Sequence, residues 1–356
     1  MKTLDEARVE IDAIDEQIAN LFERRMKAVE DVVAYKKANG LEIFDGAREA
    51  IVIKKNVERI QKEELKPYFE DFLIHMMRIS KDYQRTFVEP RKIGYQGVKG
   101  AFSQIAASHL FTYDYLQEYP TFANVFEAIE RGDIDYGVIP FENSYTGEVG
   151  DTFDLLYTHE GVYIEKMYDL KVNQNLLGVK GAKREDIQEV YSHPQGLSQC
   201  SLFLSGLGAK QVPYANTALA AKHISEMNDK HMGAIASLET AQAYNLDVLA
   251  SDIANSVDNT TRFMVIQKQL KKHGNRFALL FNVDHHAGSL AEILDIMKQK
   301  GFNLENIRSR STKKGNFQYY FYVELVGNLE SKESEELINE LNKKVHNLRI
   351  VGTYTL

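Results

Sequence analysis

The sequence predicts a multidomain chain: all-α over residues 1–88, a two-lobed α/β segment over 92–268 and a small α/β module over 276–356. Three observations carry this. The first segment keeps a helical apolar period with no strand signal. After Pro90 the pattern switches to short apolar runs alternating with amphipathic stretches, as in α/β proteins. The C-terminal segment reads strand, helix, strand, strand, helix, strand.

Composition sets the outer bounds. A chain of 356 residues with 44% hydrophobic and 26% charged residues is an ordinary globular mixture with room for two or three cores. The net charge of -8 argues against a broad nucleic-acid surface, which needs a basic patch. One cysteine, Cys200, excludes a disulfide framework and a multi-Cys metal site, and no apolar stretch suits a signal peptide or a membrane span. A cytoplasmic protein without membrane or nucleic-acid partners is expected.

In the first segment Leu4, Ala7, Ile11, Ile14, Ile18 and Leu21 recur at spacings of three and four, the stripe of a long helix reaching Lys37. Asn39-Gly40 reads as its stop, and Asp45 as the cap of a second helix from Gly46 to about Lys62. Pro67 suits the first turn of a third helix running to Arg85. So open a helical set calls for a second copy, a homodimer or larger homo-oligomer, to close its core. Arg25 falls inside the apolar stripe, and Lys36 lies about 20° around the helix and about 16 Å along it. The pair can grip a small dianion or snorkel from a solvated face. Arg8 points about 100° away from Arg25, placed for a partner chain's site.

In the middle segment five apolar runs end in polar or Gly-rich residues just before a helical pattern. They are Gly94 to Ser103, Pro140 to Ser144 with Thr146-Gly147, Ser192 to Gln195, Asn216-Thr217-Ala218, and Ala236-Ser237. In open α/β sheets such junctions line a crevice where helix N-termini meet anions, although each alone also reads as a helix cap. Glycines at 94, 97 and 100 do not make a dinucleotide fingerprint, and His109, His159, His193, His223 and His231 lack metal-site spacing. No cofactor and no metal are expected. Lys268 to Arg276 reads as a linker, and the strand and helix order beyond it is the ferredoxin-like plan.

The first segment resembles the all-helical chorismate mutases through Arg8, Asp15, Glu23-Arg24-Arg25, Lys36, the Asp45 to Glu49 run, Ser80 and Gln84. The resemblance implies that Arg25 and Arg8 of the partner subunit hold the carboxylates of chorismate. It places Lys36 and Gln84 on the ether oxygen and Glu49 on the ring hydroxyl, with Asp45, Arg48 and Ser80 also at the site. A Claisen rearrangement needs only a compact conformer and donors where charge develops, so a cation-rich pocket suffices.

The middle segment resembles the prephenate dehydratase domain through G-x-x-G-x-x-G-A-F-S, Pro-Phe-Glu-Asn-Ser, Ser-His-Pro-Gln with Gln199-Cys200, and Asn259-Thr260-Thr261-Arg262-Phe263. That implies a periplasmic-binding-protein-like fold with Thr261 as the catalytic residue. Glu142, Asn143, Ser144, Ser192, His193 and Gln199 join it in the pocket, with Arg262 near the substrate's carboxylates. Phe141 stands where the family usually has Ile or Val. A threonine hydroxyl is a weak acid, so His193 and Glu142 are the alternative proton sources. Without the resemblance, Thr261 reads as an ordinary strand residue.

The last segment resembles an ACT domain through Gly288-Ser289-Leu290-Ala291. A second motif is half kept as Arg308-Ser309-Arg310-Ser311, with Arg308 where the family has Glu and Ser311 where it has Pro. The resemblance implies phenylalanine as effector, held by Gly288, Ser289, Leu290, Ser309 and Arg310, or a structural dimerisation module. Together the segments predict a bifunctional enzyme that takes chorismate through prephenate to phenylpyruvate under feedback by phenylalanine. The alternatives are a dehydratase acting on arogenate and a non-catalytic sensor of an acidic ligand.

Overall fold

The computed structural model describes residues 2–39, 46–112, 114–256, 258–312 and 319–355, in two compact units, Met1–Pro90 and Arg91–Leu356. The first unit holds α1 (Leu4–Ala38), α2 (Gly46–Val57) and α3 (Lys66–Arg85). Thr3 starts α1 with a capping box: its hydroxyl accepts from the Glu6 N–H and the Glu6 carboxylate accepts from the Thr3 N–H. Pro67 sits in the first turn of α3, as its missing N–H allows. α2 ends at Val57, short of the expected Lys62. There the chain tightens through Arg59 N–H to Asn56 and Ile60 N–H to Val57, three-residue bonds that close a last turn, and Glu58 opposes the negative C-terminal end.

Only the later half of α1 is covered in this unit. Met26, Val29 and Val33 are buried, whereas Leu4, Ile11, Ile14, Ile18 and Leu21 are 48–66% exposed.

The second unit opens with β1 (Lys92–Gln96), α4 (Phe102–Leu110), β2 (Tyr115–Tyr119), α5 (Phe122–Arg131), β3 (Tyr136–Asn143), β4 (Gly147–Glu148), α6 (Gly150–Thr158) and β5 (Tyr163–Lys171). The chain then crosses to a second lobe. This contains β6 (Asn175–Gly178), β7 (Glu189–Ser192), α7 (Pro194–Gln199), α8 (Ser201–Leu207), β8 (Lys210–Pro213), α9 (Thr217–Met227), β9 (Met232–Ala236), α10 (Leu238–Ala243) and β10 (Asp247–Ala250). Its five strands run β10-β6-β9-β7-β8. β11 (Thr260–Gln267) returns to the first lobe and inserts antiparallel between β3 and β5. Four of the five polar junctions read from the sequence fall between a strand and a helix, whereas Pro140 to Gly147 turns the β3–β4 hairpin.

The C-terminal module is β12 (Arg276–Asn282), α11 (Ser289–Gln299), β13 (Asn303–Ser311), β14 (Tyr319–Val326), α12 (Lys332–Leu341) and β15 (His346–Tyr354), with strand order β13-β14-β12-β15. It is not a separate bead on a linker. β15 pairs parallel with β5 at Gly352 and Ile164, so one ten-stranded sheet runs through the module and the first lobe. Gly352 makes this approach possible, since a Cβ there would lie 2.4 Å from the Ile164 carbonyl oxygen. Phe141 and Phe153 of the lobe share a core with Leu280, Tyr320, Tyr322 and Val351 of the module. The polar Lys268 to Arg276 stretch is strapped down as well: Lys268 Nζ donates to the Glu130 carbonyl (2.7 Å) and Thr353 Oγ1 to that of Lys271 (2.6 Å). Among the described residues, no helix is long and apolar enough to cross a membrane.

Candidate active sites

The two lobes enclose a cavity of about 420 Å³. The start of α4 reaches it through Ala101, Phe102 and Ser103, the start of α7 through His193, Gln195 and Gly196, and the start of α9 through Asn216 and Thr217. The first N–H groups of a helix have no partner within it and carry partial positive charge, so three helix starts turned to one cavity favour an anion. Opposite them β3 and β11 present Asn143, Thr261 and Phe263, with Asn259 just before β11.

Thr261 and Asn143 lie opposite each other across the β11–β3 ladder. Asn143 Nδ2 donates to Thr261 Oγ1 (2.9 Å) and to Asn259 Oδ1 (2.8 Å). Asn143 Oδ1 in turn accepts from the N–H groups of Tyr145 (3.0 Å) and Thr146 (3.1 Å) and from the Thr146 hydroxyl (3.2 Å). With its oxygen already accepting from an amide, the Thr261 hydroxyl has its proton to give. Gln174 Nε2 donates to Gln199 Oε1 at 3.3 Å. Gln174 Oε1 and Asn259 Nδ2 are buried without a partner among the described residues, an acceptor and a donor that a ligand can satisfy.

His193 is the single titratable side chain among the described residues lining the cavity. Its Nδ1 accepts the Gln195 N–H (3.3 Å), and burial holds its pKa below the ordinary histidine value. It is therefore a neutral imidazole with its proton on Nε2. Cys200, next to Gln199, is a core residue whose thiol burial pushes up to about 12.

Four of the eight expected residues thus line the cavity: Asn143, His193, Gln199 and Thr261. The other four are placed elsewhere. Ser192 is fully buried beneath α7 and donates to the Ile235 carbonyl (2.9 Å). Ser144 Oγ donates to the Asp258 carbonyl (3.1 Å) and accepts the Thr260 N–H (3.0 Å), tying hairpin to strand. Arg262 forks onto Asp169 of β5 (2.7 and 2.9 Å), and Glu142 meets Arg308 of the C-terminal module (2.9 Å). Both lie on the far face of the sheet because strand side chains alternate and these are the neighbours of the inward Thr261 and Asn143; only beyond them does a bulge at Phe141 shift the register, so that Phe263 opposes Pro140. An arginine at the carboxylates, and Glu142 as a proton source, are therefore corrected. Helix starts and neutral amides, and no arginine, line the cavity among the described residues.

In the helical unit α1 and α3 bring Arg25, Ser80 and Gln84 together. The half-buried Arg25 guanidinium donates to Ser80 Oγ, and Ser80 Oγ donates to the Met76 carbonyl (2.7 Å). Burial draws the Arg25 pKa down from its usual value, and an arginine keeps its charge all the same. Gln84, one turn on from Ser80, is 9% exposed, and its Oε1 has no partner among the described residues. Lys36 is half-buried in the last turn of α1. Arg8 is exposed beside Asp5 (3.7 Å), about 25 Å along α1 from Arg25, so one chain does not bring the two together. Asp45 and the side chains of Arg48 and Glu49 lie outside the described residues; the backbone of the latter two begins α2.

In the C-terminal module Gly288 takes a left-handed φ of 94° ahead of α11, and the Ser289 hydroxyl donates back to the His286 carbonyl (2.8 Å). Leu290 packs into the module's core and Ser309 is exposed on β13. Arg310, expected at an effector, is committed elsewhere: it forks onto Asp154 (2.8 and 3.1 Å) and reaches Glu148 (2.9 Å), both in the first lobe.

The family model described as prephenate dehydratase matches residues 93–271, and that described as chorismate mutase type II matches residues 7–85. The bifunctional chorismate mutase/prephenate dehydratase of Aquifex aeolicus (strain VF5) is 33% identical over 359 residues, spanning 99% of this chain and 98% of that one. The structure of GqqA, described as a novel type of quorum quenching acylase, aligns with a TM-score of 0.69 at 27% identity, over 74% of this chain and 97% of that one. Prephenate dehydratase from Arthrobacter aurescens, solved in complex with L-Phe, aligns with the same TM-score of 0.69 at 24% identity, over 74% and 90% of the two chains, a likeness of fold.

Proposed function

The chain belongs to the family of bifunctional chorismate mutase/prephenate dehydratases, and from that premise we propose how its residues divide the two reactions. The enzyme rearranges chorismate to prephenate and then converts prephenate to phenylpyruvate in phenylalanine biosynthesis.

For the dehydration, the carrying observation is the 2.9 Å bond from Asn143 Nδ2 to Thr261 Oγ1 inside the cavity. Prephenate's carboxylates sit against the starts of α4 and α9 and the free Asn259 amide. The ring carboxylate leaves as carbon dioxide, its bonding pair flows into the ring, and the C–OH bond breaks with aromatisation. Thr261 donates a hydrogen bond to the departing oxygen, which leaves as water once it acquires a proton, and the Nε2–H of neutral His193 is a second donor within the cavity. Replacing Thr261 by Val keeps the shape and removes the donor. Phenylpyruvate formation is expected to fall by about 10²-fold or more, and a near wild-type rate in that variant refutes the assignment.

For the rearrangement, Arg25 holds a carboxylate, Lys36 and Gln84 meet the ether oxygen as charge develops there, Ser80 steadies Arg25, and Glu49 takes the ring hydroxyl. Asp45 and Arg48 support the site, and Arg8 of the partner subunit completes it, so the working form is a homodimer or larger.

The C-terminal module, in strand order and topology an ACT-like ferredoxin fold, is the regulatory part, with phenylalanine as effector. Its carboxylate meets the start of α11 at Gly288, Ser289 and Leu290, and Ser309 of β13 completes the site. Calorimetry is expected to record phenylalanine binding, together with a reduced dehydration rate. The absence of both heat and inhibition at millimolar phenylalanine excludes that effector.

A further inference from the structure

The β3–β4 hairpin that carries Asn143 and Thr146 into the cavity sets two carboxylates against each other, since Glu142 and Glu148 are directly opposed across the strands. Like charges at opposed positions push strands apart. The counter-charge comes from the C-terminal module. Arg308 Nη2 donates to Glu142 Oε1 at 2.9 Å and its Nε stands 3.5 Å from Glu148 Oε2. Arg310 takes the other Glu148 oxygen and both oxygens of Asp154 on α6. It lies flat on the start of that helix, where a Cβ on Gly150 would come within 2.6 Å of its Nη1.

We infer that Arg308 is a positioning residue for the dehydration: by holding Glu142 and Glu148 together it fixes the hairpin turn that aims Asn143 at Thr261. The path is short and each step is a contact. The turn gives Asn143 Oδ1 its three hydrogen bonds, from Tyr145 N–H, Thr146 N–H and the Thr146 hydroxyl. Those bonds set the plane of the carboxamide, and Nδ2 at its other end reaches Thr261 Oγ1. With Arg308 removed, the two carboxylates repel, the turn opens and the amide swings. Arg308 lies on β13, the strand of Ser309, so an effector that shifts this strand acts on the cavity through the same contact. The inference rests on the reading of Asn143 and Thr261 as site residues.

The test uses the full chain with prephenate as substrate. Arg308→Gln is expected to lower kcat about tenfold with KM little changed, because orientation and not binding is lost. Mutase activity and thermal midpoint stay near wild type. Arg308→Lys, which keeps the charge, retains most of the rate. In Arg308→Gln/Glu148→Gln one of the opposed carboxylates is neutral, and most of kcat returns. A wild-type kcat in Arg308→Gln overturns the inference, and so does a loss that Glu148→Gln leaves unrepaired. Thr261→Val is assayed alongside. Its loss of activity keeps the site reading whatever the Arg308 variants do, and its full activity overturns both.

Discussion

Asn143 does two jobs with the two ends of one amide: its oxygen closes the hairpin turn and its nitrogen donates to Thr261. Asp at this position separates them. The carboxylate still accepts from the turn, but the donor is gone and a negative charge stands beside the hydroxyl. Burial in the cavity raises that carboxyl's pKa above the usual carboxylate range, and once protonated it donates again. Asn143→Asp is therefore expected to lose about 10²-fold in kcat at neutral pH and to regain part of it on acidification, whereas the wild type shows no such rise. A kcat–pH profile checks this. Thr261, Asn143, His193 and Gln199, which the cavity brings together, are legible only as members of the family motifs, since each alone also reads as a helix cap or a strand residue. Gln174 is not, since nothing around it in sequence reports that it hydrogen-bonds Gln199 in the cavity wall. Arg262 and Glu142 are the strand neighbours of Thr261 and Asn143, so simple alternation turns them to the other face, a distinction that a motif of consecutive residues does not carry.

Elements were easier to read than their associations. The strand and helix order of the C-terminal module is visible in periodicity and in its cap residues, but the seam between β15 and β5 depends on two edges being free to meet, a property of the folded sheet. Gly352 is the residue at that seam. A methyl group there would press on the backbone of Ile164, which has little room to yield. Gly352→Ala is expected to cost about 1–3 kcal/mol, the usual range for overpacking, read as a lower denaturant midpoint for the second unit. Gly206 is the control. Its Cβ would meet nothing within 4 Å and it lies in α8, so Gly206→Ala is expected to be neutral or stabilising by up to about 1 kcal/mol. Equal losses in the two variants would deny the seam its special status. Phe141 and Arg308, the two departures from family pattern with most bulk, bear on this same side of the first lobe: Phe141 packs 5.6 Å from the Tyr322 ring, and Arg308 lies opposite Tyr322 in the β13–β14 ladder.

At the scale of the molecule, the helical unit is unfinished as a single chain. Five apolar residues of α1 stand 48–66% exposed in one stripe, and a continuous patch of that kind marks an interface. Arg8, at the same end of α1, lies about 25 Å from Arg25, too far for one site on one chain and in keeping with the proposed role at another copy's site. Both facts call for the same arrangement, two α1 helices laid along each other so that each stripe covers the other and each Arg8 reaches the far Arg25. Glu at Ile11, Ile14 and Ile18 would bury uncompensated carboxylates in that seam, a cost of several kcal/mol. The triple variant is expected to sediment as a smaller species than wild type and to lose mutase activity, while its dehydratase cavity, built within the second unit, goes on converting supplied prephenate. Arg25→Ala is the comparison: the same loss of mutase with the assembly intact. A triple variant that keeps both its wild-type sedimentation and its mutase rate means that something other than a second copy covers α1.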